Sequence, residues 1–286
     1  MKWQGRQESE NIEDRRGISG RQVAAGGGGL AIVMLIIGLI MGGDPQQLLS
    51  DFMQNKSKQT QTTQRGAESQ EEKNLRSFAG VTLADNEQIW TKLFEQNGMQ
   101  YQKPTMVIFD NETQSPCGAA NAQTGPFYCP ADRKIYLSLN FFNDLTQKLG
   151  ANGDFAFAYV ISHEVGHHIQ HLLGTTNKVR QAQSQLDEAG ANRYSVALEL
   201  QADFYAGVWA HYNQQWNNAL EQGDIEEALS AANAVGDDRL QKRMQGYVVP
   251  DAFTHGTSEQ RMYWFKKGYE TGDLNQGNTF DEVLNQ

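Results

Sequence analysis

The sequence predicts an α+β fold: a mainly helical domain with a small sheet, preceded by one transmembrane helix. Three observations carry this expectation. Between residues 105 and 139 the apolar residues fall in short runs and alternations suited to strands, and after residue 154 they recur at helical spacing. Strands grouped ahead of helices, rather than alternating with them, suit an α+β arrangement with the strands on one side. Residues Gln22 to Gly43 carry no charge, and their centre, Leu30 to Met41, is aliphatic apart from Gly38.

Residues 1–21 mix both charge signs and hold too little apolar surface to fold alone, so they are expected as a cytoplasmic tail. A helix over residues 22–43 would reach about 33 Å, enough for a hydrocarbon core of about 30 Å. Lys2, Arg6, Arg15, Arg16 and Arg21 precede this segment, and Lys56 and Lys58 are the first basic residues after it. The positive-inside rule then places the amino terminus in the cytoplasm and the remainder outside. The expectation is a single-pass protein of the bacterial cytoplasmic membrane. Residues 44–74, rich in Gln, Ser, Thr, Lys and Glu, read as a flexible linker. The folded domain is expected over 75–286.

Within it, Ile89, Trp90, Leu93 and Phe94 form an apolar stripe on a helix over 85–96, with Asp85 as N-cap and Gly98 as its end. Strands are expected at 105–109, 127–129 and 134–139, and a short helix at 140–149. A largely apolar helix runs from Phe155 to Leu173 and stops at Gly174. A long helix over 188–217 follows, then helices at 225–235 and 238–244. Thr257 and Gln260 form a capping box opening a helix over 257–269.

Composition narrows the function. A chain of 286 residues that is 39% hydrophobic can bury a core, and a net charge of −10 without basic clustering after residue 22 excludes a nucleic-acid-binding surface. The two cysteines, Cys117 and Cys129, lie close together among Gly118, Gly125, Pro126 and Pro130. A disulfide closing so short a loop contributes roughly 3 kcal/mol in an oxidising compartment.

The chemistry centres on His163-Glu164-Val165-Gly166-His167 in the apolar helix. Residues i and i+4 share a helical face, so His163 and His167 can present imidazole nitrogens to one metal ion, with Glu164 beside them to hold a water. His168 and His171 turn away from that face, and Phe204, Tyr205 and Trp209 are core residues. A catalytic zinc needs a third protein ligand, for which Asp187, Glu188, Glu199, Asp203, His211 and His255 are candidates. The metzincin pattern is excluded, because Gln170 and Leu173 stand where its glycine and third histidine belong. Glu199 and Asp203, four apart on the next long helix, have the spacing of the gluzincin pattern.

His163 to His168 together with Glu199-Leu200-Gln201-Ala202-Asp203 resemble the gluzincin zinc peptidases. More closely, Lys2-Trp3-Gln4-Gly5-Arg6, Gly125 to Pro130, Gly153-Asp154-Phe155 and Phe253 to Ser258 resemble the bacterial neutral zinc metallopeptidase family over nearly the whole chain. That resemblance implies a zincin-like domain acting on polypeptides and holding one Zn²⁺ per chain through His163, His167 and Glu199. It implies Glu164 as general base, Asp203 as the hydrogen-bond partner of His163, and His255, near Arg261, as a donor to the anionic intermediate. By analogy with zincin clefts, the strand 134–139 would be the edge on which an extended substrate pairs. The sequence leaves two other functions open: a zinc hydrolase of a non-peptide amide such as a cell-wall bond, and a silent zinc-containing scaffold. Retention of Glu164 counts against the scaffold, since a structural site has no use for a base. Oligomeric state is not legible.

Overall fold

The computed structural model describes residues 1–17, 68–121 and 125–285. Strand β1 (Ile12–Asp14) precedes α1 (Gln70–Gln96), β2 (Thr105–Phe109), β3 (Glu112–Ser115), β4 (Gly118–Asn121), β5 (Phe127–Cys129) and β6 (Lys134–Ser138). The helices α2 (Asn140–Gln147), α3 (Asp154–Leu172), α4 (Thr175–Gln183), α5 (Glu188–Asn217), α6 (Asp224–Ala234), α7 (Asp237–Gln245), α8 (Ser258–Thr271) and α9 (Thr279–Leu284) follow. The predicted α+β class holds, mainly helical with a small sheet. The expected membrane span, 22–43, lies outside the described residues; among the described residues no helix is long and apolar enough to cross a membrane.

The sheet runs β1-β2-β6-β5, with β1, β2 and β6 parallel and β5 antiparallel to β6. Alternation along β2 and β6 splits their side chains between two cores. Met106, Ile108, Ile135 and Leu137 face the helices, whereas Val107, Phe109 and Tyr136 pack with Ala120 and Cys129 under the β3–β4 hairpin. Cys117, in the hairpin turn, is bonded to Cys129 on β5, as expected.

Three expectations are corrected. The strand 134–139 is not the sheet edge: β6 lies between β2 and β5, and Ile135 to Ser138 are buried. The edges are β1 and β5, and the one at the cleft is β5, whose Phe127 and Tyr128 are half-buried. Asp85 is no N-cap: α1 starts earlier, where Ser69 and Glu72 form a capping box, and Asp85 lies buried within the helix. The described part of the expected tail, residues 1–17, is folded onto the domain. Arg6 holds Asp85 through two hydrogen bonds of 2.5 and 2.8 Å. Ser9 and Asn11 side chains both donate to Glu87 at 2.7 Å, and β1 pairs in register with Met106 to Ile108. The Met1 ammonium donates to Asp154 and Asp224 at 2.9 and 3.2 Å. The segment has too little apolar surface to fold alone: Met1, Trp3 and Ile12 pack on the core, and the remaining ties are to polar groups and a strand edge of distant elements.

The helical core centres on α3, packed against α5, with Phe155 stacked on Trp209 at 5.6 Å between ring centroids. Two close approaches position the site. A Cβ on Gly166, inside the histidine motif, would lie 2.9 Å from the carbonyl oxygen of Ala202, so the glycine lets α3 settle directly on α5 between Glu199 and Asp203. Where α5 meets α8, a Cβ on Gly207 would lie 2.0 Å from the Phe265 carbonyl oxygen. Without both glycines the three helices could not meet at this distance.

Candidate metal centre

His163 and His167 project from α3, and Glu199 from α5, into one cleft of about 660 Å³. The histidine Nε2 atoms lie 3.1 and 3.3 Å from the two oxygens of Glu199. One ligand atom from each of the three residues falls within 4.8 Å of the others. Two imidazole nitrogens and a carboxylate form the donor set of a catalytic zinc that keeps a position for water.

The far side of each ring supports the same reading. Asp203 accepts a hydrogen bond from His163 Nδ1 at 2.7 Å, and the Gln170 side-chain oxygen accepts one from His167 Nδ1 at 2.9 Å. With both Nδ1 atoms donating, both Nε2 atoms point at Glu199, where a cation would take the place of their protons. Gln170 is itself fixed, donating through Nε2 to the Leu198 carbonyl at 2.6 Å. Asp203 is fully buried and is held by the Arg261 guanidinium at 2.8 and 3.0 Å, and by the Tyr159 hydroxyl at 2.5 Å.

The electrostatics follow from this packing. Burial opposes ionisation of Asp203, yet Arg261 and His163 outweigh it and hold its pKa at about 2. Burial likewise disfavours the His163 imidazolium, but Asp203 and Glu199 raise its pKa to about 10. The cluster therefore favours positive charge between the histidines and carboxylates, which a divalent cation would supply. Burial raises the Glu164 carboxyl above its ordinary range, with the neighbouring histidines and the Tyr128 N–H acting the other way.

The remaining candidates separate cleanly. His211 donates from Nδ1 to the Tyr269 carbonyl, and Asp187 caps α5 through the Gly190 N–H. His168 is buried between the Gln102 carbonyl and the Tyr128 hydroxyl. His255 is on the cleft wall but outside the ligand cluster, half-exposed, with Nδ1 3.2 Å from Asp237. Asp237 also accepts the backbone N–H groups of Thr254, His255 and Gly256 at 2.7, 2.6 and 3.1 Å, which fixes the His255 loop. Sequence reasoning read Gln170 only as a missing glycine, and missed Tyr159 and the tie of Asp237 to His255. A glutamine three residues after a candidate ligand histidine, in an apolar helix, was the available signal for Gln170.

Residues 1–280 match the family model described as putative neutral zinc metallopeptidase. The chain belongs to that family. The Escherichia coli K12 protein YpfJ is 49% identical over 292 aligned residues, covering 99% of this chain and all of the relative. The Mycobacterium tuberculosis H37Rv protein Rv2575 is 42% identical over 190 residues, 63% of each chain. Both carry the description uncharacterized. No solved structure matches. Membership in this metallopeptidase family agrees with the donor set, and implies zinc and hydrolysis at the level of class.

Proposed function

We propose that this family member is a zinc-dependent peptidase with Glu164 as general base and His163, His167 and Glu199 as the residues that would hold one zinc ion. The observation that carries the reading is the convergence of these three side chains beside a buried, non-ligating Glu164. A zinc ion bound there would supply Lewis acidity, polarising a peptide carbonyl and making a water acidic enough to lose a proton near neutrality. Glu164 accepts that proton, a task suited to a carboxyl whose basicity burial has raised, and delivers it to the leaving amine. Asp203, braced by Arg261 and Tyr159, keeps His163 in the tautomer that leaves Nε2 available. His255 donates to the carbonyl oxygen as negative charge develops; the hydrogen bond to Asp237 raises its pKa and so favours its imidazolium.

The substrate is a polypeptide in extended form, pairing with the edge strand β5 by main-chain hydrogen bonds. Phe141, Leu149, Val160, Val235 and Leu240 form an apolar wall of the cleft and favour a bulky apolar side chain beside the scissile bond. The Cys117–Cys129 bond supports action in an oxidising compartment outside the cytoplasm. The test is substrate trapping by full-length Glu164→Gln protein in cells, against a His163→Ala control. Enrichment of intact polypeptides that the parent protein cleaves supports the reading; enrichment of non-peptide amides, or hydrolysis undiminished in Glu164→Gln, refutes it.

A further inference from the structure

The polar segment before residue 18 is docked on the domain, which bears on the sidedness that charge counting suggests. Its strand β1 is the outer member of the parallel sheet, bonded through the Met106 N–H to the Asn11 carbonyl at 2.9 Å and the Arg15 N–H to the Ile108 carbonyl at 2.8 Å. It is fastened at several further points. Arg6 binds the buried Asp85 on α1, Ser9 N–H donates to the Gly80 carbonyl at 3.0 Å, and the Lys134 ammonium on β6 reaches Glu13 at 2.6 Å. Trp3 packs edge-on against Phe78, which stacks on Phe157 of the metal-bearing helix α3. Most tellingly, Arg16 is nearly buried, holds Asp14 at 2.5 Å and reaches Glu68 at 2.6 Å, so residues 16 and 68 touch.

From these contacts we infer that residues 1–17 and the metal centre always occupy the same compartment, because both belong to one folded body in which Arg16 meets Glu68. A body with a common core cannot be divided by a bilayer. The arrangement expected from basic residues alone, with the amino terminus inside the cytoplasm and the domain outside, would require β1 to leave the sheet. It would also leave Asp85 buried without its guanidinium partner, and stripping one partner from a buried ion pair is strongly unfavourable. Export of the domain therefore carries the amino-terminal residues with it. This inference rests on the docking contacts and not on peptidase activity.

The test uses full-length protein in its own cells, with one exposed position converted to cysteine in each arm: Gln7→Cys on the docked segment and Lys178→Cys on α4. Spheroplasts and permeabilised cells are treated with a membrane-impermeant maleimide, and the modified positions are mapped by mass spectrometry so that Cys117 and Cys129 are scored separately. The expected result is one shared pattern: both introduced thiols react in intact spheroplasts, or both react only after permeabilisation. Reaction of one in intact spheroplasts and of the other only after permeabilisation overturns the inference. Neither position belongs to the cleft, so zinc content and hydrolysis serve as a separate readout. Loss of those would count against the proposed function without touching sidedness.

Discussion

Asp203 accepts a hydrogen bond from His163 at 2.7 Å while the Arg261 guanidinium grips the same carboxylate from behind. All three groups are buried, so the orientation of His163 depends on a residue 98 positions downstream on another helix. Removing the Arg261 charge with Arg261→Met strands a buried carboxylate, and a loss of about 3–5 kcal/mol in unfolding free energy is expected. Asp203→Asn keeps the shape and removes the charge, and should weaken zinc about 10–100-fold. Urea denaturation and competition with a coloured chelator measure the two effects.

Zinc content and turnover should separate by residue. Purified parent protein is expected to carry one zinc per chain. Glu164→Gln should retain it and lose hydrolysis, whereas His163→Ala and Glu199→Ala should lose metal. Elemental analysis of each variant beside an assay on a trapped polypeptide gives the answer.

His255 should act on rate more than on binding. Replacing it with Phe is expected to lower kcat by roughly 10²–10³, the usual effect of removing one donor to a developing oxyanion, with KM and zinc content little changed. Asp237→Asn should give a smaller loss and move the pH profile, because Asp237 is what favours the His255 imidazolium. Equal losses of zinc and activity would assign these residues a structural role instead.

Gly166→Ala tests the close approach of α3 to α5. Helix propensity alone would favour alanine by about 1 kcal/mol, but its methyl group would sit 2.9 Å from the Ala202 carbonyl oxygen. Overpacking of this kind costs about 1–3 kcal/mol, so net destabilisation with weaker zinc binding is expected. Thermal melts with and without chelator report both.

His168 makes stability sensitive to acid. Burial holds its pKa down at about 4, against the pull of the Gln102 carbonyl, while an unfolded chain titrates near ~6.5. Between those values the unfolded state binds the proton more readily. Its contribution is therefore full above about pH 6.5 and is lost as pH falls towards 4. In chelator-treated protein, urea midpoints of His168→Gln should fall less over this interval than those of the parent.

The parts of the site legible in the sequence are those a helix repeats locally. Four-residue spacing brings His163 to His167 and Glu199 to Asp203, and both pairs stand together on α3 and α5. The capping box at Thr257 and Gln260 is local in the same sense and opens α8 as expected. The misplaced start of α1 has a local cause too: Asp85 is a common N-cap type, but its partner is Arg6, 79 residues away. The β3–β4 hairpin and α4 were not anticipated, since Glu112 to Asn121 and Thr175 to Gln183 are polar stretches with little apolar periodicity.

The sequence by itself determined the donor types, their helical spacing and the presence of Glu164 beside them, because these are fixed by residue identity and a 3.6-residue repeat. Only the tertiary structure decided what stands behind each histidine of the cleft: Asp203, braced by Arg261 and Tyr159, behind His163, Gln170 behind His167, and Asp237 behind His255. It also decided which strand forms the edge at the cleft and that the polar amino-terminal residues are part of the domain. Hydrogen bonds and ion pairs between distant elements carry no period along the chain, so they become visible only when Gly166 and Gly207 have let the helices close on one another.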